Sequence, residues 1–446
     1  MECGGAENPI VTLTRRSLLA GAAAPLMPGN DSRPNFVFIF TDDHYWQALG
    51  ANGNPHIHTP NLDRLAQRGV LFTNGIVSTS QCAPSRGIML SGLETYQSGL
   101  RSNGATRFKP DLGPTAVEQL RRAGYETTLV GKWHINNTPA ECGFSRGPLW
   151  LRGGSSQYRG PKLRRGLEGT DETVPGHITD LFTDAGIESV KSAKQPFLLW
   201  MAYNAPHSPW YADAKYRSRY EGKDNAALAP PAHPKGGKPF DWATYYSVIT
   251  HLDEAIGRLV QAIERAGHWN TTAIFLVGDN GFMCGARGLS GKVVPWEESI
   301  RVPFAAAGGV VKGGRSVETP VASIDVTATW MDLAGVRSQR PLAGRSLRAL
   351  LSGDRATFDE AYSVWDDGRV EALAVRQAVE PYRLVRTATH KLICWESGRK
   401  ALFDLREDRH EQRNTHSPGD RTTNELMERL RARMKATGDP VLSRWN

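Results

Sequence analysis

Cysteine is scarce in this chain, and the few present do not pair. The five, at positions 3, 82, 142, 284 and 394, contain no C-x-x-C and are odd in number. A full disulfide framework is therefore excluded, and so is zinc held at its usual Cys/His spacing. Long apolar runs are also missing. Past roughly the first 30 residues no stretch approaches the about 20 apolar residues of a membrane helix, so no integral membrane segment is expected. Stripes of Lys and Arg are absent as well. The net charge of +8 is spread along the chain, with one short patch at Lys162, Arg164 and Arg165, and no nucleic-acid partner is expected. No internal repeat is present. What remains is an ordinary globular composition over 446 residues, room for two or three domains of roughly 150 residues and for a large core. The basic balance suits an anionic substrate without requiring one.

Four apolar runs organise the chain. Phe36 to Phe40 reads as a strand buried on both faces, as in a parallel sheet, and stops at Thr41-Asp42-Asp43-His44. Thr127 to Val130 ends in Gly131-Lys132-Trp133-His134, and Phe197 to Met201 leads to Asn204-Ala205-Pro206-His207. Ala273 to Val277 ends in Gly278-Asp279-Asn280-Gly281. Helical stretches fall between them. Pro60 to Gly69 has Thr59 as N-cap and Gly69 as C-cap, and Thr115 with Glu118 boxes a helix running to Ala123. Ile178 to Val190 follows, then a long amphipathic helix bearing Tyr245, Ile249, Leu252, Ile256, Leu259 and Ile263. Strands alternating with helices predict an α/β fold, a large and mainly parallel sheet sandwiched by helices. In such sheets ligands bind beyond the carboxyl ends of the strands. Asp42, Asp43, Lys132, His134, His207, Asp279 and Asn280 can therefore converge despite their separation. Any one of these strand ends reads as a loop or a cap; four together do not.

Residues from about 135 to 175 are rich in Gly, Arg and Ser and weakly periodic, which predicts a long loop. Its Arg152, Arg159, Arg164 and Arg165 make it either an entrance that recognises a polyanion or a solvated basic loop. After about 345 the short runs Tyr382 to Arg386 and Lys391 to Trp395 predict a smaller antiparallel sheet, and Leu426, Leu430 and Met434 mark a last helix.

One cysteine has a distinctive setting. Gln81-Cys82-Ala83-Pro84-Ser85-Arg86-Gly87-Ile88-Met89-Leu90-Ser91-Gly92 reads as a loop entering a helix, with Pro84 in the first turn. Cys82 there faces backbone amides and the positive end of the helix dipole, and Arg86 adds a planar cation suited to an oxyanion. The stretch resembles the signature of the type I sulfatases, C-x-P-S-R-x-x-x-L-T-G, with Ser91 in place of Thr. The words around Asp42, Lys132, His207 and Asp279 resemble further motifs of that family. So do Gly291-Lys292 ahead of Glu297-Glu298-Ser299-Ile300-Arg301-Val302-Pro303, and His390-Lys391-Leu392-Ile393 with Leu402-Phe403-Asp404. The likeness runs from about residue 34 to about residue 414 and places the chain beside the alkaline-phosphatase-like superfamily.

The resemblance implies that Cys82 is oxidised to formylglycine by a separate formylglycine-generating enzyme, a transient partner. The hydrated aldehyde is then the nucleophile. A Ser or Cys nucleophile would be left carrying a sulfate ester, whereas a gem-diol attacks sulfur with one hydroxyl and expels sulfate on deprotonation of the other. It also implies metal ligation by Asp42, Asp43, the Cys82-derived group, Asp279 and Asn280. Oxygen ligands suit a hard cation, Ca²⁺ first and Mg²⁺ second. By the same likeness Arg86 and Lys132 orient the diol, and His134 takes a proton as the hemiacetal collapses. Lys292 and His207 bind sulfate and assist the leaving group, with either able to supply its proton. The implied activity is hydrolysis of an organic sulfate monoester, a sulfated saccharide or an aryl sulfate, to alcohol and inorganic sulfate. Two other readings stand beside it: a phosphodiester or phosphonate-ester hydrolase on the same scaffold, and a non-catalytic binder of sulfated glycans.

Thr14-Arg15-Arg16-Ser17 ahead of Leu18 to Ala24 resembles a twin-arginine export signal, which implies a periplasmic or secreted protein. The expected organisation is a leader over residues 1–32, a catalytic domain over 33–345 and a C-terminal α+β subdomain over 346–446.

Overall fold

A strand that is apolar on both faces needs a helical layer on each side. Asn35–Thr41 (β1) meets that need inside an eight-stranded sheet, with every residue buried. The other strands are Val70–Phe72 (β2), Glu126–Lys132 (β3), Arg146–Leu151 (β4), Phe197–Ala202 (β5), Thr272–Gly278 (β6), Phe304–Ala307 (β7) and Arg315–Val317 (β8). Their order is β8-β2-β7-β6-β1-β5-β3-β4, and β7 alone among them runs antiparallel to its neighbours. The computed structural model describes residues 32–104, 107–194, 196–234, 236–367, 371–372 and 377–445; the arginine pair of the leader and Cys3 lie outside them.

The longer helices are Pro60–Arg68 (α1), Cys82–Ser91 (α2), Ala116–Arg122 (α3), Ile178–Ser192 (α4), Trp242–Arg265 (α5), Ser323–Leu333 (α6) and Arg421–Thr437 (α7). Phe36, Phe38 and Phe40 alternate toward α2, α3 and α6, while Val37 and Ile39 face α1, α4 and α5. On the first face Phe38 sits 5.0 Å from Trp200 and 5.1 Å from Trp330, both edge-on, the geometry aromatic rings prefer. This is the expected α/β sandwich.

Several local expectations change. Gly69 does not end α1 in a left-handed turn, its φ being −113°. Glycine is needed there because a Cβ would stand 2.1 Å from the Ala306 carbonyl of β7. Thr59 does not cap α1; its hydroxyl instead accepts the Gly50 amide at 2.9 Å and donates to Asp63. Thr115 does cap α3, accepting the Glu118 amide at 3.0 Å, but the Glu118 carboxylate turns to Arg122 rather than back to the cap. The stretch read as a long loop contains β4, an edge strand whose Pro148-Leu149-Trp150-Leu151 run is masked by flanking Gly and Arg. Its arginines are largely spoken for: Arg159 pairs with Asp213, Arg164 with Asp171 and Arg165 with Glu172.

Past residue 345, Glu360–Trp365 (β9), Tyr382–Thr387 (β10), His390–Trp395 (β11) and Lys400–Asp404 (β12) form an antiparallel sheet in chain order. One face carries α7 through Leu426, Leu430 and Met434. The other, with Ala361, Leu384, Ile393 and Phe403, joins the same core as Phe38. Cys82, Cys142, Cys284 and Cys394 are buried and free.

Candidate active site

Strand register brings the site together. Thr41 of β1 lies opposite Gly278 of β6, Phe40 opposite Ala202 of β5, and Ala202 opposite Gly131 of β3. Asp42, Asp279, the Asn204–His207 turn and Lys132 therefore leave the sheet at one level of one edge. In an extended strand neighbouring side chains point to opposite faces. Asp43 breaks that alternation with a φ of 60°, a left-handed conformation that Asp tolerates better than most residues. The turn is held by the Asp42 amide on the Ala205 carbonyl at 3.1 Å, the Asp43 amide on Asp279 Oδ1 at 3.2 Å and the His44 amide on the Asn280 carbonyl at 3.1 Å. His44 itself is structural, bonding Thr41 Oγ1 and the Ala48 carbonyl.

Cys82 opens α2 and is 1% exposed. Its thiol lies 3.4 Å from Asp42 Oδ1, and Lys292 Nζ approaches Sγ to 2.9 Å. The helix end itself offers few free amides, since Ala83 N–H is taken by Asn103 Oδ1 and Pro84 has none. Cations for an oxyanion come instead from side chains. Arg86 Nη2 reaches Asp279 Oδ2 at 2.9 Å and Nη1 the Lys132 carbonyl at 2.7 Å. The Lys132 ammonium pairs with Asp42, and the Lys292 ammonium with Asp43. His207 Nε2 stands 3.7 Å from Asp43 Oδ2.

Three buried carboxylates and three cations share this space, and their proton affinities diverge. Burial opposes ionisation of Asp42, but Lys132, His207, Lys292 and Arg86 together hold its carboxyl well below the usual range. Burial and the Asp42 charge push Asp279 up, against Arg86. Burial, reinforced by Asp42, raises the Cys82 thiol to about 12. An unmodified Cys82 is thus a thiol near neutrality, with very little thiolate to act as nucleophile. Lys292 is the reverse case: burial favours the neutral amine, but Asp43 and its acidic neighbours keep it charged.

His134 is reached by two backbone distortions. Gly131 has a φ of 106°, and a Cβ there would fall 1.9 Å from the Ala202 carbonyl of β5. His134 itself has a φ of 62°. Its ring packs on Gly154, where a Cβ would lie 2.4 Å from Nε2. Burial, then Lys132 and Arg86, depress its pKa to about 2, so the ring is uncharged near neutrality and its protonated form is disfavoured, and among the described residues its Nδ1 has no hydrogen-bond partner. The His134 ring flanks the cluster, within electrostatic reach of Lys132, Arg86 and Asp42.

The set also fits a cation. Asp42, Asp43, Cys82 and His207 each offer a ligand atom within 4.8 Å of the others. Asn280 donates its Nδ2 to Asp43 Oδ1 at 2.7 Å, and its fully buried Oδ1 has no partner. A buried acceptor left unpaired costs about 1–3 kcal/mol, which a hard cation would offset.

Two supporting residues, Tyr245 and Tyr158, carry no motif that sequence reasoning could use. Tyr245, from the middle of α5, donates to the Asp43 carbonyl at 2.7 Å and accepts the Tyr45 amide at 2.9 Å. Its spacing on α5 marks it as core, and its hydroxyl's target is decided by the fold. Tyr158 donates to the His207 carbonyl at 2.9 Å. Asn204, 1% exposed, has neither amide atom bonded.

A family model described as Sulfatase matches residues 34–336, and one described as N-sulphoglucosamine sulphohydrolase, C-terminal, matches residues 285–439. The chain belongs to the sulfatase family. It is 29% identical to an ulvan-active sulfatase from Formosa agariphila over 93% of this chain and 83% of that one. It is 25% identical to an N-acetylglucosamine-6-O-sulfatase from Bacteroides thetaiotaomicron, over 94% of this chain and 89% of that protein. A protein solved with its substrate D-glucosamine-2-N,6-O-disulfate superposes with a TM-score of 0.78 and 25% identity, covering 92% of this chain and 99% of that one. This sulfatase is a sulfuric ester hydrolase of the alkaline-phosphatase-like superfamily, with an acidic cluster at the carboxyl edge of its sheet fitted to hold a metal.

Proposed function

We propose that this sulfatase removes sulfate from a sulfated saccharide through a formylglycine made from Cys82 by a formylglycine-generating enzyme. The observation that carries the reading is the bracketing of Cys82 Sγ by Asp42 on one side and the Lys292 ammonium on the other. The ion is Ca²⁺, held by Asp42, Asp43, Asp279, Asn280 and the modified residue, where it would hold sulfate and offset the buried carboxylates. The modified residue supplies a diol that attacks sulfur with one hydroxyl and releases sulfate when the other loses its proton.

The remaining roles fall to this chain's side chains. Arg86, anchored at both ends, and Lys132 orient the diol and stabilise negative charge beside it. His134, flanking the cluster, takes the proton that frees sulfate. Lys292, kept protonated, and His207 bind the sulfate oxygens, and one of them delivers a proton to the departing alcohol. The sugar assignment is supported by the named activities of the relatives, on ulvan, N-acetylglucosamine-6-O-sulfate and glucosamine disulfate. The twin-arginine leader carries the folded enzyme to the periplasm or beyond. The stretch after about 345 acts as a subdomain attached to the catalytic domain.

Mass analysis of the Cys82 peptide, from cells that co-express the modifying enzyme, tests the nucleophile: the aldehyde is expected, and full activity in Cys82→Ala refutes the mechanism. Paired rates on aryl sulfate and aryl phosphonate esters test the bond cleaved, and a strong preference for phosphorus would replace sulfate hydrolysis. A panel of sulfated oligosaccharides tests the substrate class. Release of sulfate from aryl esters alone would remove the saccharide.

A further inference from the structure

A second group of metal-ligating side chains lies outside the acidic cluster. His177, the N-cap of α4, and His251, in the middle of α5, lie with ring centroids 4.1 Å apart and planes tilted by 32°. They are 3% and 2% exposed. His251 Nε2 meets Asp180 Oδ2 at 3.0 Å, and the other Asp180 oxygen is held by Arg258 at 2.6 Å. His177 Nδ1 takes only a long 3.3 Å contact from the Thr179 amide. Among the described residues His251 Nδ1 is buried with no hydrogen-bond partner, and His177 Nε2 is buried with none of good geometry, the ring lying beside the Tyr211 backbone. One ligand atom from each of His177, Asp180 and His251 lies within 4.8 Å of the others.

We propose that His177, Asp180 and His251 form a binding site for a divalent transition metal, of which Zn²⁺ is the type. Two imidazoles and one carboxylate favour such an ion over Ca²⁺, which the all-oxygen cluster suits. Each half of the site is already oriented. Arg258 steers the Asp180 carboxylate as outer partners steer metal-binding carboxylates elsewhere, and Tyr216 stacks on His251 with ring centroids 4.2 Å apart. Binding replaces the Thr179 contact at His177 Nδ1 and the His251 Nε2–Asp180 hydrogen bond, the His251 ring carrying its proton on Nδ1, so that both rings ligate as neutral imidazoles. The bound ion ties the first turn of α4 to α5. It also stands near the catalytic edge, because Tyr158 packs 5.4 Å from the His177 ring while bonding the His207 carbonyl.

The test is Zn²⁺ binding to the full chain saturated with Ca²⁺, followed by equilibrium dialysis and by the visible spectrum of Co²⁺ in place of Zn²⁺. One equivalent is expected in the wild type and in Asp42→Asn, with an affinity at least tenfold weaker in His251→Gln and in Asp180→Asn. Asp180 is partly exposed, so Asp180→Asn keeps the test valid if His251→Gln fails to fold. Equal binding by wild type and both variants overturns the site. So does loss of binding in Asp42→Asn, which would place the ion in the catalytic cluster, and so does a wild type that retains no Zn²⁺.

Discussion

Removing one hydroxyl from α5 tests how the acidic cluster is built. Tyr245 is fully buried among aromatic rings, and its oxygen links the Asp43 carbonyl to the Tyr45 amide. Tyr245→Phe keeps the ring and opens no cavity of note. It withdraws one partner from each of two buried backbone groups, at about 1–3 kcal/mol each, or roughly 2–4 kcal/mol together after relaxation. The left-handed turn at Asp43 then loses a tether that no neighbouring side chain replaces. Outer partners of metal ligands are typically worth about 10–100-fold in affinity, so with the proposed Ca²⁺ in the cluster the concentration for half-maximal activity rises by about that factor. Activity at saturating Ca²⁺ recovers much of the wild-type rate, because no group that touches substrate has changed. Urea unfolding at fixed Ca²⁺ reads the first quantity, and Ca²⁺ titration of the chelator-stripped enzyme reads the second. Unchanged stability together with an unchanged Ca²⁺ midpoint would refute the claim that this hydroxyl holds the metal-binding turn.

Arg86→Lys keeps the charge but cannot span both Asp279 and the Lys132 carbonyl, and kcat/KM is expected to fall about 10²–10³-fold in enzyme whose Cys82 conversion is verified by mass. Gly154→Ala drives a methyl into the His134 ring and is expected to cost about tenfold or more in kcat, with stability within about 1 kcal/mol, as thermal unfolding will show. Burial holds His233 down to about 4 from its ordinary 6.5, so as pH falls below 6.5 the unfolded chain gains a proton that the native state refuses, and stability drops. At pH 5 that loss is about 2 kcal/mol, from 1.5 pH units at about 1.36 kcal/mol each. His233→Phe keeps a ring against Trp242 and Tyr45, and in urea unfolding it should gain about 2 kcal/mol at pH 5 relative to its effect at pH 8; equal effects at both pH values would reject the linkage.

By itself the sequence determined the fold class and most of the site. An apolar pentapeptide such as Phe36 to Phe40 has few stable environments besides the interior of a helix-covered sheet, so β1 and the residues at its end were legible from composition alone. The same holds for β3, β5 and β6, whose terminal words named Lys132, His134, His207, Asp279 and Asn280. The Cys82 segment was legible through its resemblance to the type I sulfatase signature. Other short strands were not legible: β7 and β8 span four and three residues, too few for a period to show, and β4 hides among Gly and Arg.

Tertiary structure decided what local rules could not reach. Gly69 is the C-cap of α1, as its sequence suggests, but the need for glycine there comes from close approach to β7; the arginines of residues 152–165 look like a polyanion entrance, and three of them are neutralised by Asp213, Asp171 and Glu172. Tyr245, His177 and His251 are typed by sequence as helix positions, and their partners lie from 71 to 202 residues away. The physical reason is one of range. Propensity, periodicity and capping act over a few residues along the chain, whereas the direction of a buried hydroxyl or imidazole is set by whichever distant backbone the folded core presses against it.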